Sequence, residues 1–156
     1  MTTLLSMVNS LKREVNPPGS DLFPDATNAD WIGYLADGVW EAKLDGFLSN
    51  YTLDTTTNTV TPDLPDYYQY LVILWAGVRI TRTRISNMQT SLKQQAGPVS
   101  QEIQIAATML RDVLAEIQAK KQRLIDLSYH ITNVKLVDGA IQRDFNDLNF
   151  NRSEFG

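Results

Sequence analysis

The chain has 156 residues, no cysteine, one histidine and a formal net charge of −4. Its 43% hydrophobic and 21% charged residues are those of an ordinary globular domain, long enough to bury a core without disulfides or metals. The missing cysteines exclude disulfides, thiolate nucleophiles and zinc–thiolate or iron–sulfur sites, and the single His130 excludes a His–His metal site within one chain. The start carries neither a basic n-region nor an apolar signal core, and the longest apolar run, Tyr70–Val78, has nine residues, so neither export nor a membrane span is expected. Charge is unevenly spread: residues 1–13 carry +2, residues 14–66 carry −9, residues 67–123 carry +5 and residues 124–156 carry −2. A chain with an acidic and a basic block can pair with itself, within one subunit or between subunits.

Leu4, Val8, Leu11 and Val15 recur at helical spacing and predict an amphipathic helix over 2–15, ended by Pro17-Pro18-Gly19. A loop over 16–26 brings Leu22, Phe23 and Pro24 across the core. The second helix is predicted over 28–48, with Thr27 as N-cap and Asp30 three residues on. It has two apolar stripes, one of Ile32, Leu35, Val39, Ala42 and Gly46 and one of Trp40, Leu44 and Phe47, which predicts more than one neighbour. Gly33, Gly38 and Gly46 lower its helix propensity; close backbone packing is the expected reason for them, and Gly46 is also a candidate for the fraying end of the helix.

Residues 50–62 contain six threonines and alternate over Tyr51–Asp54 and Thr59–Thr61, which predicts a small β-hairpin or loop projecting from a helical body. Pro65 opens a third helix that runs to about Gln95. Leu71, Leu74, Val78, Thr81, Ile85, Met88 and Leu92 form one stripe, while Tyr70, Ile73, Gly77 and Ile80 line an adjacent face. Its first half is apolar nearly all round, the mark of a central element. The second half is polar and offers Arg79, Arg82, Arg84 and Lys93 to another surface. Gly97-Pro98 stops it, and a fourth helix follows over 100–127, with Ser100 as N-cap and a stripe of Ile103, Ala107, Leu110, Leu114, Ile117, Lys121 and Leu124. The short joint makes these two long helices antiparallel.

Beyond Ser128 the texture changes to asparagine, aspartate and spaced aromatics, with a turn signal at Asp138-Gly139. Residues 129–156 therefore read as an arm, extended or hairpin-forming, that docks on a partner by strand addition or by anchors such as Tyr129, Ile131, Val134, Leu136, Phe145, Phe150 and Phe155. The expected fold is mainly α: a four-helix bundle over 1–128 with two long antiparallel helices, a hairpin or loop insertion at 50–62, and the C-terminal arm.

The residue types that do catalysis do not cluster. His130 lacks a base or an orienting partner, Gly97-Pro98 is no phosphate loop, and the carboxylates Asp37, Glu41 and Asp45 form a single acidic stripe at i, i+4, i+8. An enzyme, a cofactor and a metal site are not expected. Arg79, Arg82 and Arg84 can grip phosphate or dock on an acidic stripe, and no aromatics interleave with them for stacking on single-stranded nucleic acid.

Two stretches, Leu35-Ala-Asp-Gly-Val-Trp-Glu-Ala-Lys-Leu-Asp-Gly-Phe-Leu48 and Leu64-Pro-Asp-Tyr-Tyr-Gln-Tyr-Leu-Val-Ile-Leu-Trp-Ala-Gly-Val-Arg-Ile-Thr-Arg-Thr-Arg-Ile85, with Lys93-Gln-Gln-Ala-Gly-Pro-Val99 behind them, carry a resemblance. Over roughly residues 27–127 the chain resembles the head-to-tail adaptor proteins, or head–tail connectors, of long-tailed bacteriophages, especially those of actinobacteria. The resemblance implies a structural virion protein made in the host cytoplasm and placed at the capsid–tail junction. Such a protein forms a ring, usually of twelve copies, beneath the portal protein. It extends the channel for double-stranded DNA without sequence-specific binding, and meets the next connector, stopper or tail protein. By position alone, residues 129–156 are the segment that docks on the portal. In a ring, Arg79, Arg82 and Arg84 are expected to meet acidic residues of a neighbour, among them Asp37, Glu41 and Asp45, or else to face DNA. The channel wall is expected to be polar or mildly acidic, lined by the loop of Thr55, Thr56, Thr57 and Asn58 or by the second helix. The alternative is a cytosolic helical-bundle protein-binding module, regulatory or chaperone-like.

Overall fold

The computed structural model describes residues 1–92 and 101–128. The chain divides into two compact units, Met1–Lys121 and Gln122–Gly156. It is mainly helical, with a small three-stranded sheet.

The first unit opens with a strand, β1 (Thr2–Thr3), and not with helix as the periodicity predicts. Thr2 and Thr3 pair antiparallel with Val60 and Thr59, and the Thr2 hydroxyl accepts a bond from the Leu64 N–H at 2.8 Å. Helix α1 (Leu4–Val15) follows and buries Leu4, Met7, Val8, Leu11 and Val15 on one face. The expected stripe is all there, with Met7 added. The connection from 16 to 26 is held by Asn16, whose Oδ1 accepts from the Leu22 N–H at 2.8 Å. Leu22 and Phe23 are buried, while Pro24 is exposed. The Phe23 ring meets the edge of Trp31 at 5.5 Å between centroids.

Helix α2 (Asn28–Leu44) begins at a complete capping box. The Asp30 N–H donates to the Thr27 hydroxyl at 3.3 Å, and the Thr27 N–H donates to the Asp30 carboxylate at 2.8 Å. The Thr27 N–H, with the Thr27 hydroxyl also donating to the carboxylate at 2.8 Å, holds the Asp30 carboxyl below the usual carboxylate range. The helix ends at Leu44, four residues before the predicted end, because the chain turns at Asp45 and Gly46 takes a φ of +86°. Of the first apolar stripe Leu35, Val39 and Ala42 are buried, with Trp31 beside them, while Ile32 is half-buried and Gly46 exposed. The second stripe is not: Trp40 is 50% exposed and Leu44 80% exposed, so its expected second neighbour is missing among the described residues.

Strands β2 (Thr52–Asp54) and β3 (Thr59–Thr61) form the predicted hairpin, but it does not stand free. Strand β3 is the middle strand in the order β1-β3-β2, and Val60 is wholly buried. Its four-residue loop packs back on Asp54, whose carboxylate accepts from the Thr56 N–H at 2.8 Å and the Thr57 hydroxyl at 2.9 Å. Asn58 supplies the left-handed residue, φ +54°, and its carbonyl accepts from the Leu4 N–H at 2.9 Å.

Helix α3 (Asp66–Leu92) starts on the Pro65 carbonyl, which accepts from the Gln69 N–H. From Leu71 to Thr81 nearly every side chain is buried, Trp75 and Arg79 being the exceptions. From Arg82 to Ser91 none is buried, so the helix does leave the core in its second half. Residues 93–100, including Lys93, the Gly97-Pro98 joint and Ser100, lie outside the described residues.

A fourth helix, α4, occupies residues 101–128. Within the first unit its inner side buries Ala107, Leu110, Val113 and Ile117. Lys120 on α4 meets Glu14 on α1 at 2.6 Å and Glu116 at 3.0 Å. In the second unit, Gln122 donates to Asp126 at 2.9 Å and the Ser128 hydroxyl to the Ile125 carbonyl at 2.8 Å. His130 and the predicted arm, with Tyr129, Ile131, Val134, Leu136, Phe145, Phe150 and Phe155, lie outside the described residues.

Helices α2 and α3 approach closely at Gly38. A Cβ built on Gly38 would lie 2.6 Å from the Val72 carbonyl oxygen and 3.1 Å from the Ala76 nitrogen, both backbone atoms. The other two glycines read as packing devices are not: Gly33 has open space around it, and Gly46 serves the turn. Gly38→Ala is therefore expected to destabilise by about 1–3 kcal/mol through overpacking. Gly33→Ala is expected to stabilise by about 0.5–1 kcal/mol through helix propensity. Urea unfolding followed by circular dichroism checks both signs, and equal effects would contradict this account of α2.

Candidate functional site

The sequence singles out the arginines of α3 and the acids of α2, and the α2–α3 packing brings some of them together. Gly38 and Ala76 mark the contact, so the residues flanking them share its rim. Arg79 Nε lies 3.2 Å from Asp37 and its Nη1 lies 3.3 Å from Glu41. Arg79 thus pairs with these acids inside one chain, whereas the expected pairing is of all three arginines across a subunit contact. The three side chains are between 37% and 51% exposed, which keeps the pairing weak, about 0–1 kcal/mol. Its main effect is to occupy Arg79, Asp37 and Glu41, so that they do not face outward as free charges.

Arg82, Arg84 and Asp45 stand apart from that cluster. None of the three makes an ion pair among the described residues. Arg82 is exposed on the polar half of α3. Arg84 is half-buried, and its Nε–H is enclosed without a hydrogen-bond acceptor. It borders a pocket of about 180 Å³ beside Phe23, Asp25 and Tyr34. Asp45 is exposed at the C-cap of α2. Of the loop residues, Thr55, Thr56 and Thr57 are exposed at the hairpin tip and Asn58 is half-buried at its base.

Two features escape the sequence pattern. Lys121 falls on the predicted apolar stripe of α4, yet its ammonium sits 3.8 Å above the Trp75 ring. It lines a second pocket, of about 230 Å³, with Trp75, Arg79 and Arg82. Burial and the Arg82 charge push the Lys121 pKa down, while Asp45 and Glu41 oppose them more weakly. Lys120, its neighbour in sequence, shifts the other way. The hydrogen bond to Glu14 holds its pKa well above the usual lysine value. Glu14 itself is only 15% exposed. Helical periodicity gives no sign of either environment, because both depend on which neighbour faces α4.

Among the described residues no group of three or more His, Asp or Glu side chains converges as metal ligands, and no helix is long and apolar enough to cross a membrane. In comparisons with protein-family models, curated proteins and solved structures, nothing matches the chain.

The two ion-pair clusters differ in burial, and this orders their mutants. Arg79→Met is expected to cost less than about 1 kcal/mol, the scale of exposed pairs. Lys120→Met strands the sheltered Glu14 carboxylate and is expected to cost more, about 1–3 kcal/mol. Because the folded-state pKa of Lys120 is raised, its contribution is fully present below the ordinary lysine value, about 10.4. It is lost as pH rises through the raised folded value. Unfolding of wild type and Lys120→Met across pH 7–12 checks this, with the gap between them narrowing only above about pH 10.

Proposed function

We propose that the chain is a structural head-to-tail adaptor: a ring-forming four-helix bundle that joins a phage portal to the next tail component around a DNA channel, with residues 129–156 as the portal-docking arm. The role is structural and not catalytic. The observation that carries the reading is the pairing pattern on α3. Arg79 is satisfied within the chain, while Arg82 and Arg84 have no ion pair among the described residues, on a half-helix of which no residue from Arg82 to Ser91 is buried. A head-to-tail ring needs such an unpaired surface on one side and a complementary one on the other. Asp45, exposed on α2 and without an ion pair among the described residues, belongs to the acidic block and fits the complementary side. The resemblance of residues 27–127 to phage connectors supplies the identity of the assembly, and the exposed threonine tip at Thr55–Thr57 suits a polar channel wall.

The second reading, a helical-bundle binding module, is favoured by one observation. Trp40 and Leu44 lie one turn apart on α2 and are both exposed, which is a small apolar surface of the kind used in protein binding. That module has no affinity for a portal.

Co-sedimentation with an assembled portal ring tests the adaptor directly. The full chain is expected to bind, and a chain ending at Ser128 to lose binding. No binding by the folded full-length protein would reject the adaptor in favour of the second reading. Arg82→Glu with Arg84→Glu is expected to impair ring formation, read by mass photometry of portal complexes. Unchanged rings would remove these arginines from the subunit contact.

A further inference from the structure

The pocket beside Lys121 is lined by three cationic side chains, Arg79, Arg82 and Lys121, together with Trp75 and Glu41, and of the three only Lys121 lies over the Trp75 ring. Only one of the three is neutralised in place. Arg79 is held by Asp37 and Glu41, and the Glu41 that also lines the pocket is thereby engaged. Among the described residues Arg82 has no ion pair, and the Lys121 ammonium rests on the Trp75 ring, where Asp45 and Glu41 favour its charge only weakly. Arg82 and Lys121 thus bring two positive charges to one pocket without a carboxylate ion pair among the described residues, an arrangement that an anion completes.

We propose that this pocket is an oxyanion seat, in which Arg82 and Lys121 grip one carboxylate or phosphate-type group above Trp75. The guanidinium offers a planar fork and the ammonium a compact second charge, a pair suited to an oxygen-bearing anion. A volume of about 230 Å³ admits one such group. Burial and the Arg82 charge disfavour the Lys121 ammonium more than Asp45 and Glu41 favour it, and an anion beside it offsets both. Because the ammonium lies directly on the indole, drawing it toward an anion changes the cover over Trp75 and gives that ring a signal of its own. The seat does not depend on the ring reading. Its occupant is either a free anion or an acidic side chain from a second copy, whose residues 14–66 are strongly acidic.

The test uses the full chain at low concentration and follows its three tryptophan indole N–H resonances by NMR, with Trp75 assigned through Trp75→Phe. Inorganic phosphate is titrated at constant ionic strength against sodium chloride. The Trp75 resonance is expected to shift and saturate while that of Trp31 stays in place. Arg82→Gln and Lys121→Gln are each expected to weaken the binding about tenfold or more, the scale of one lost charge-assisted hydrogen bond. Arg82→Lys, which keeps the charge, is expected to retain part of it. No saturable shift, or one that persists unchanged in both glutamine variants, would overturn the seat. Once phosphate binding is seen, raising the protein concentration without phosphate separates the two sources. A concentration-dependent shift that phosphate reverses assigns the seat to an acidic side chain of a second copy, and a resonance that ignores protein concentration assigns it to the free anion.

Discussion

Helices α2 and α3 lie as close as they do because residue 38 has no side chain. With the Val72 carbonyl 2.6 Å from where a Cβ would stand, any other residue there would push the two backbones apart. Much of the rest follows from this contact. It brings Leu35, Val39 and Ala42 of α2 onto the apolar first half of α3. It leaves the opposite sides of α3 to α1 and α4, and both reach Gly77: a Cβ there would meet Ile117 at 3.2 Å and Val15 at 3.4 Å. One glycine thus sets the α2–α3 distance and another lets α1 and α4 close on the same helix.

The same contact decides the electrostatics. Asp37 and Glu41 flank Gly38 in sequence, and Arg79 lies one turn beyond Ala76, so the close approach places the arginine fork between the two acids. An acidic and a basic block along the chain thereby begin to neutralise each other inside one molecule. What remains unneutralised lies further along α3, where no residue from Arg82 to Ser91 is buried. The functional proposal and the oxyanion seat both rest on that remainder: the first on its outward face, the second on the pocket where it turns toward Lys121 and Trp75.

How much was legible in the sequence varied with how local the cause was. The stripes of α1 and the first half of α3, the Thr27–Asp30 cap and the two hairpin strands depend on neighbours a few residues away, and they are where periodicity and capping rules put them. Strand β1 was hidden, because two threonines become a strand only through pairing with residues nearly sixty positions on. Helix α2 ends four residues short of the predicted end, because the chain turns at Asp45 and Gly46, which the sequence offers both for packing and as a helix end, takes positive φ. Trp40 and Leu44 showed that an apolar stripe predicts a partner without supplying one. Among the site residues, the sequence identified the arginines and acids but not their pairing, which depends on the α2–α3 register. It also read Lys121 as a stripe member, where only the tertiary fold reveals a cation held on an aromatic ring.

The central claim is that α3 is two things in succession, a buried axis gripped at Gly38 and Gly77 and then an outgrowth free of the core. Native-state hydrogen exchange along this one helix tests it most directly. Amides from Leu71 to Val78 are expected to exchange only through global unfolding, and those from Arg82 to Thr90 through local opening at much lower free energy. Uniform protection along the whole helix would contradict the account, because it would mean that the second half is held as firmly as the first.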